Sequence, residues 1–114
     1  MAITELYSGT EAIGATEHSL TTDTAGPDVD TTDGVFQVWL DLSDMVAGDE
    51  LQVRVYEKVR SGDTQRIAWQ ATLVGVQAQP LFVTPSLILM HGWDVTLDAI
   101  AGTITVNWSV RQVA

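Results

Sequence analysis

The side chains able to do chemistry are few. The chain has two histidines, His18 and His91, and no cysteine. Without cysteine there is no thiol catalysis, thiolate zinc site or iron–sulfur cluster. A Ser–His–acid site would need a nucleophile on a strained turn, and the sequence contains no Gly-x-Ser-x-Gly. The histidines are far apart, with no His-x-x-x-His spacing, so no zinc site is expected. The run Asp28-Val29-Asp30-Thr31-Thr32-Asp33-Gly34 comes near a calcium loop, but its third acid falls one residue late and no acid follows until Asp41. It reads as a solvated loop whose aspartates cap turns. Asp94 and Asp98 fall on the polar side of one alternating stretch and read as a solvated face, not a glycosidase pair. No glycine-rich phosphate loop precedes a helical pattern. The residues therefore predict a non-enzymatic protein, with no cofactor and no metal.

Charge narrows the partners. The net charge is −10 over 114 residues. Residues 1–53 hold eleven acids and no Lys or Arg, giving −11. Arg54, Lys58, Arg60, Arg66 and Arg111 face only four acids in the second half, giving +1. Such a surface repels phosphate backbones and anionic membranes, so neither nucleic acid nor membrane is an expected partner. Residues 1–15 contain Glu5 and Glu11 and lack a basic region and an apolar run, so no signal peptide is expected. The uncharged stretch 67–93 is broken by Gln70, Gln77, Gln79, Pro80, Pro85 and His91 and does not read as membrane-spanning. The expected location is a cytoplasm, or a particle assembled there.

The elements that would carry any site are strands. At this length one domain is expected, and folding removes roughly 65% of the surface of the unfolded chain. Residues 1–34, rich in Thr, Ser, Gly, Ala and acids, read as an extended N-terminal arm or loop with a weak strand near Glu17–Thr22. From Val35 the pattern has period two. Phe36, Val38, Leu40 and Leu42 alternate with Val35, Gln37, Trp39 and Asp41. Leu51, Val53 and Val55 form a second set, and Ile67, Trp69, Ala71 and Leu73 a third. Trp93, Val95, Leu97 and Ala99, then Ile104, Val106, Trp108 and Val110, read as a hairpin closed at Ile100–Gly102. One short helical turn fits Leu42–Ala47. Together these predict an all-β protein: an antiparallel β-sandwich or jelly roll of about 6–8 strands over residues 35–114.

Apolar residues exceed what one core face needs. Leu87-Ile88-Leu89-Met90 is apolar on both faces of a strand, and Pro80 and Pro85 confine its approach to an edge or crossing loop. One face can enter the core; the other requires cover from another element or another subunit. Trp69, Trp93 and Trp108 fall on apolar faces, whereas Trp39 and Tyr56 fall opposite theirs. Leu81, Phe82, Leu87, Leu89 and Trp39 are the expected self-association residues.

A set of strand and turn residues carries a resemblance. It comprises Gly48-Asp49-Glu50-Leu51, Arg54-Val55-Tyr56-Glu57-Lys58, Pro80, His91-Gly92-Trp93-Asp94-Val95-Thr96-Leu97, Ala101-Gly102-Thr103 and Trp108-Ser109-Val110-Arg111. Over residues 35–113 the chain resembles small virion structural proteins of tailed bacteriophages, most of all capsid decoration, or cement, proteins. The resemblance implies a β-sandwich or jelly roll that forms a homotrimer on the outer capsid, binds the major capsid protein and stabilises neighbouring subunits. The acidic arm, with Ile3, Leu6, Tyr7, Glu11 and Glu17, is then the expected capsid contact. Alternatives are a tail, neck or fibre-attachment component, or a carbohydrate-binding module using Trp39.

Overall fold

The computed structural model describes residues 2–113. Ten strands run in the order β1 (Ile3–Ile13), β2 (His18–Ser19), β3 (Thr24–Ala25), β4 (Gly34–Asp41), β5 (Glu50–Glu57), β6 (Arg66–Val74), β7 (Leu81–Val83), β8 (Leu87–Leu89), β9 (Asp94–Ala101) and β10 (Ile104–Val113). They form two antiparallel five-stranded sheets. Sheet A has the order β1-β10-β4-β7, with β8 also paired to β4; sheet B has the order β3-β2-β9-β5-β6. The all-β sandwich follows from the alternation. Phe36, Val38 and Leu40 of β4 and Ile104, Val106 and Val110 of β10 pack against Leu51, Val53 and Val55 of β5 and Val95 and Leu97 of β9. Each such side chain taken from water contributes about 1.5–3 kcal/mol. Trp93 and Trp108 are buried in this core, and Trp69 packs half-buried against it.

Three expectations about connectivity are corrected. The segment 93–111 is no hairpin: β9 lies in sheet B and β10 in sheet A, so the turn at Gly102-Thr103 carries the chain across the core. Gly102 has φ +81°, and a Cβ there would come within 2.1 Å of Asp49 Oδ1, so glycine alone fits this crossing. The stretch Leu42–Ala47 forms turns, with the Met45 N–H donating to the Leu42 carbonyl, and no helix. Residues 1–34 are no arm set apart from the sandwich. Within them β1 pairs with β10 from Ile3↔Val113 to Ile13↔Ile104, and β2 pairs with β9.

Local chemistry explains why so polar a segment joins the sheets. Gly9 lies under the Trp108 indole, where a Cβ would sit 2.6 Å from the ring. A register shift between Glu5 and Tyr7 accompanies Leu6 and Tyr7 both packing on the core. Ile13 at the far end is fully buried. Farther on, the chain wraps the end of β9. Asp30 and Trp93 exchange two backbone hydrogen bonds of 2.8 Å, and Trp93 Nε1 donates to the Thr32 carbonyl.

Asp94 holds this wrap in place and is not part of a solvated face. It is completely buried. Its carboxylate accepts from Ser19 Oγ (3.0 Å), Thr21 Oγ1 (2.9 Å), Val95 N (2.8 Å) and Asp28 N (2.7 Å). Burial raises its carboxyl above the ordinary value of 3.8, against the pull of these donors. Gly26 lies close alongside, where a Cβ would be 2.8 Å from the Ser19 Cβ. Asp98 is also not freely solvated: it pairs with Arg54 at 3.0 Å.

The geometry predicts that Asp94→Asn is destabilising although nearly isosteric. The amide presents N–H groups to donors it cannot satisfy, at a cost of about 3 kcal/mol. A urea-unfolding midpoint that drops, with an unchanged denaturant slope, is the expected result. An unchanged midpoint contradicts this account of the wrap.

Candidate interaction surface

The outer faces of the two sheets differ. On sheet B, the outward side chains of β5 and β9 form a polar network with the end of the β1–β2 connection. Glu17 accepts from Tyr56 Oη and Thr96 Oγ1 and lies 3.5 Å from Arg54, which also pairs with Asp98. Gln52 and Gln70 accept hydrogen bonds from the same guanidinium. Two carboxylates thus share one guanidinium.

The outer face of sheet A is apolar at one end. Directly paired residues share a face, so the register defines rows across the sheet. Ile3 pairs with Val113, Val113 with Val35, and Val35 with Ile88. One row of four β-branched aliphatic residues thus crosses β1, β10, β4 and β8. Its ends are open to solvent, with Ile3 67% and Ile88 78% exposed. Beside it runs a cleft of about 540 Å³ whose lining includes Asp33, Val35, Ile88, Met90, Gln112 and Val113. The next row, Glu5–Arg111–Gln37, carries one acid and one base. The row after it places Ser109 beside Trp39 and Trp39 beside Val83. The Arg111 guanidinium lies 4.2 Å from the Trp39 ring centre. Arg111 Nε donates to Ser109 Oγ, whose hydroxyl donates to Glu5 at 2.6 Å. Glu5 and Arg111 thus offset one another, and Asp33 at the cleft is the acid left beside the row, while the chain carries −10.

The expected contact residues fall in several places. Among the self-association residues, Trp39 and Leu81 lie on the outer face of sheet A, and Leu81 is well exposed. Leu89 is buried, and Phe82 and Leu87 pack against the core, so these three are core residues. The exposed members of their segment are Ile88 and Met90, which the parity of a short strand sets. Among the expected capsid-contact residues, Ile3 joins the apolar row. Leu6 packs on the core, and so does Tyr7, whose hydroxyl donates to Asp30. Glu17 is committed to the sheet B network, and Glu11 lies at the edge of β1, 3.9 Å from His18. The arm residues therefore do not make one surface. The row Ile3–Val113–Val35–Ile88 escapes sequence reading because it joins four strands distant in the chain. The aspartates of the 28–33 loop act within the fold: Asp28 accepts from Thr22, and Asp30 from Tyr7 and the Thr32 N–H. His91 directs its backbone N–H to Glu57.

The two tyrosines provide a test of these internal contacts. Burial, reinforced by Asp30 beside Tyr7 and by Glu17 beside Tyr56, pushes both hydroxyls up to about 12. The folded chain therefore keeps two protons that the unfolded chain releases near the ordinary value of 10.0. The stability these groups contribute is present below pH 10.0 and is lost as pH rises towards about 12. Absorbance titration should show almost no tyrosinate near pH 10.0 in the native protein and about half ionisation there in urea; native ionisation near that pH refutes both contacts. No protein-family model, curated protein or solved structure matches the chain.

Proposed function

We propose that the chain is a non-enzymatic structural protein that works by association, through the outer face of sheet A. The row Ile3–Val113–Val35–Ile88 carries this reading. It is a continuous apolar strip with solvent-exposed ends, on a face where Glu5 and Arg111 offset one another. A second copy of a chain with net charge −10 can approach there with little like-charge repulsion. The molecule spans 40 × 32 × 20 Å. Its broad face accommodates the roughly 800 Å² that each partner of a stable complex buries.

The specific form we propose is a homotrimer that decorates the outer lattice of a phage capsid, binds the major capsid protein and stabilises neighbouring subunits. The virion setting rests on the sequence resemblance. The apolar row supports the association, and repeated contacts with a lattice add avidity to a weak individual contact. A carbohydrate-binding role has less support, because Arg111 covers a face of Trp39 on which a sugar would stack.

Light scattering of the purified chain at micromolar concentration tests the association. A mass near three times 12.3 kDa is expected. Ile88→Glu should dissociate it without unfolding, since surface changes usually alter stability by less than about 0.5 kcal/mol. The trimer should co-sediment with capsid shells and the variant should not. A monomeric wild type, or a variant that stays trimeric, ends this reading.

A further inference from the structure

We propose that Glu11, His18 and Asp23 form a binding site for a divalent transition-metal ion, with zinc the fitting choice. The three residues come from the end of β1, from β2 and from the turn before β3. One ligand atom from each lies within 4.8 Å of the others. His18 Nε2 is 2.8 Å from Asp23 Oδ1 and 3.9 Å from Glu11 Oε2. An imidazole with two carboxylates is a nitrogen–oxygen donor set of the kind zinc takes, and calcium, which prefers oxygen alone, does not fit it.

The geometry favours an ion over a simple hydrogen bond. His18 is held by the fold: its side chain is only 12% exposed, and its ring stands edge-on to Trp108 with centres 5.6 Å apart. Nε2 is thereby aimed at the carboxylates. It can donate to one of them only, and Asp23 takes that contact, leaving Glu11 Oε2 too far for a hydrogen bond. Asp23 is at φ 56°, a conformation Asp tolerates, and its N–H donates back to the Ser19 carbonyl. No Lys or Arg occurs in residues 1–53, and Arg54, the first cation along the chain, is engaged by Glu17 and Asp98. Two carboxylates converge on the His18 ring nitrogen, and a divalent ion neutralises their charge. A cleft of about 290 Å³ lined by Glu11, Gly14, His18 and Ala25 leaves room for water or an outside ligand in the remaining coordination positions.

Such an ion would clip the two sheets together, because β1 is an edge strand of sheet A and β2-β3 is the edge of sheet B. The inference is independent of the association surface. Calorimetric titration with zinc chloride at neutral pH tests it, together with nickel quenching of tryptophan fluorescence, which Trp108 reports at short range. The expected result is saturable binding of one equivalent, a raised melting temperature and partial quenching. His18→Gln should abolish all three. Glu11→Gln and Asp23→Asn, both at exposed positions, should each weaken binding by more than the roughly tenfold that even an outer-shell partner is worth. Asn keeps the backbone conformation of Asp23, so the second variant stays informative if His18→Gln fails to fold. No binding up to millimolar zinc overturns the proposal. So does binding that any of these folded variants leaves unchanged, since that is general attraction to an acidic surface.

Discussion

A buried carboxylate organises the N-terminal third of this protein. Taking Asp94 out of water is costly, and its four hydrogen-bond donors offset that cost only while the 19–28 segment stays folded over β9. The donors come from Ser19, Thr21, Asp28 and Val95, so one side chain fixes both ends of the wrap. Trp93 next to it fills the core and bonds to Thr32, which extends the anchoring to the start of β4. Phe36 of β4 packs on the same indole at 4.5 Å between ring centres. Polar anchoring on one side of the chain and apolar packing on the other thus meet at consecutive residues.

That arrangement leaves the two faces of the sandwich with different characters. On sheet B, the Arg54 guanidinium is engaged by the carboxylates of Glu17 and Asp98. On sheet A, cross-strand register brings branched aliphatic residues from four strands into one row, whose end residues Ile3 and Ile88 are exposed among the described residues. Beside this row Glu5 is offset by Arg111, and Asp33 stands at the rim of the adjoining cleft. The same wrap brings Glu11, His18 and Asp23 together, so closure of the N-terminal third also assembles a set of metal donors.

Much of the sandwich was legible in the sequence, because β4, β5, β6, β9 and β10 each alternate with period two and turn their apolar side towards the core. β1 was not, since Ser8, Gly9 and Thr10 carry little apolar signal; tertiary packing of Trp108 over Gly9 makes it a strand. The turn at Gly102-Thr103 has hairpin length, yet it crosses between sheets, and the chain around it does not reveal that Ala99 bonds to Gly14. Asp94 follows a polar alternation, and only the distant Ser19, Thr21 and Asp28 reveal it as buried. For the candidate surface, the apolar excess at 87–90 was readable, but strand parity sends Leu87 and Leu89 inward and leaves Ile88 outside. Metal donors from three separate segments leave no motif in the sequence.

Native-state hydrogen exchange tests most directly whether the N-terminal third is part of the sandwich. The account predicts that amides of Gly26, Asp28 and Asp30 in the wrap, and those of β1 bonded to β10, exchange nearly as slowly as the core strands β5 and β9. Rapid exchange throughout residues 3–30, with β9 and β10 still protected, would mean that this segment is an arm lying on a self-sufficient sandwich, and would contradict the account.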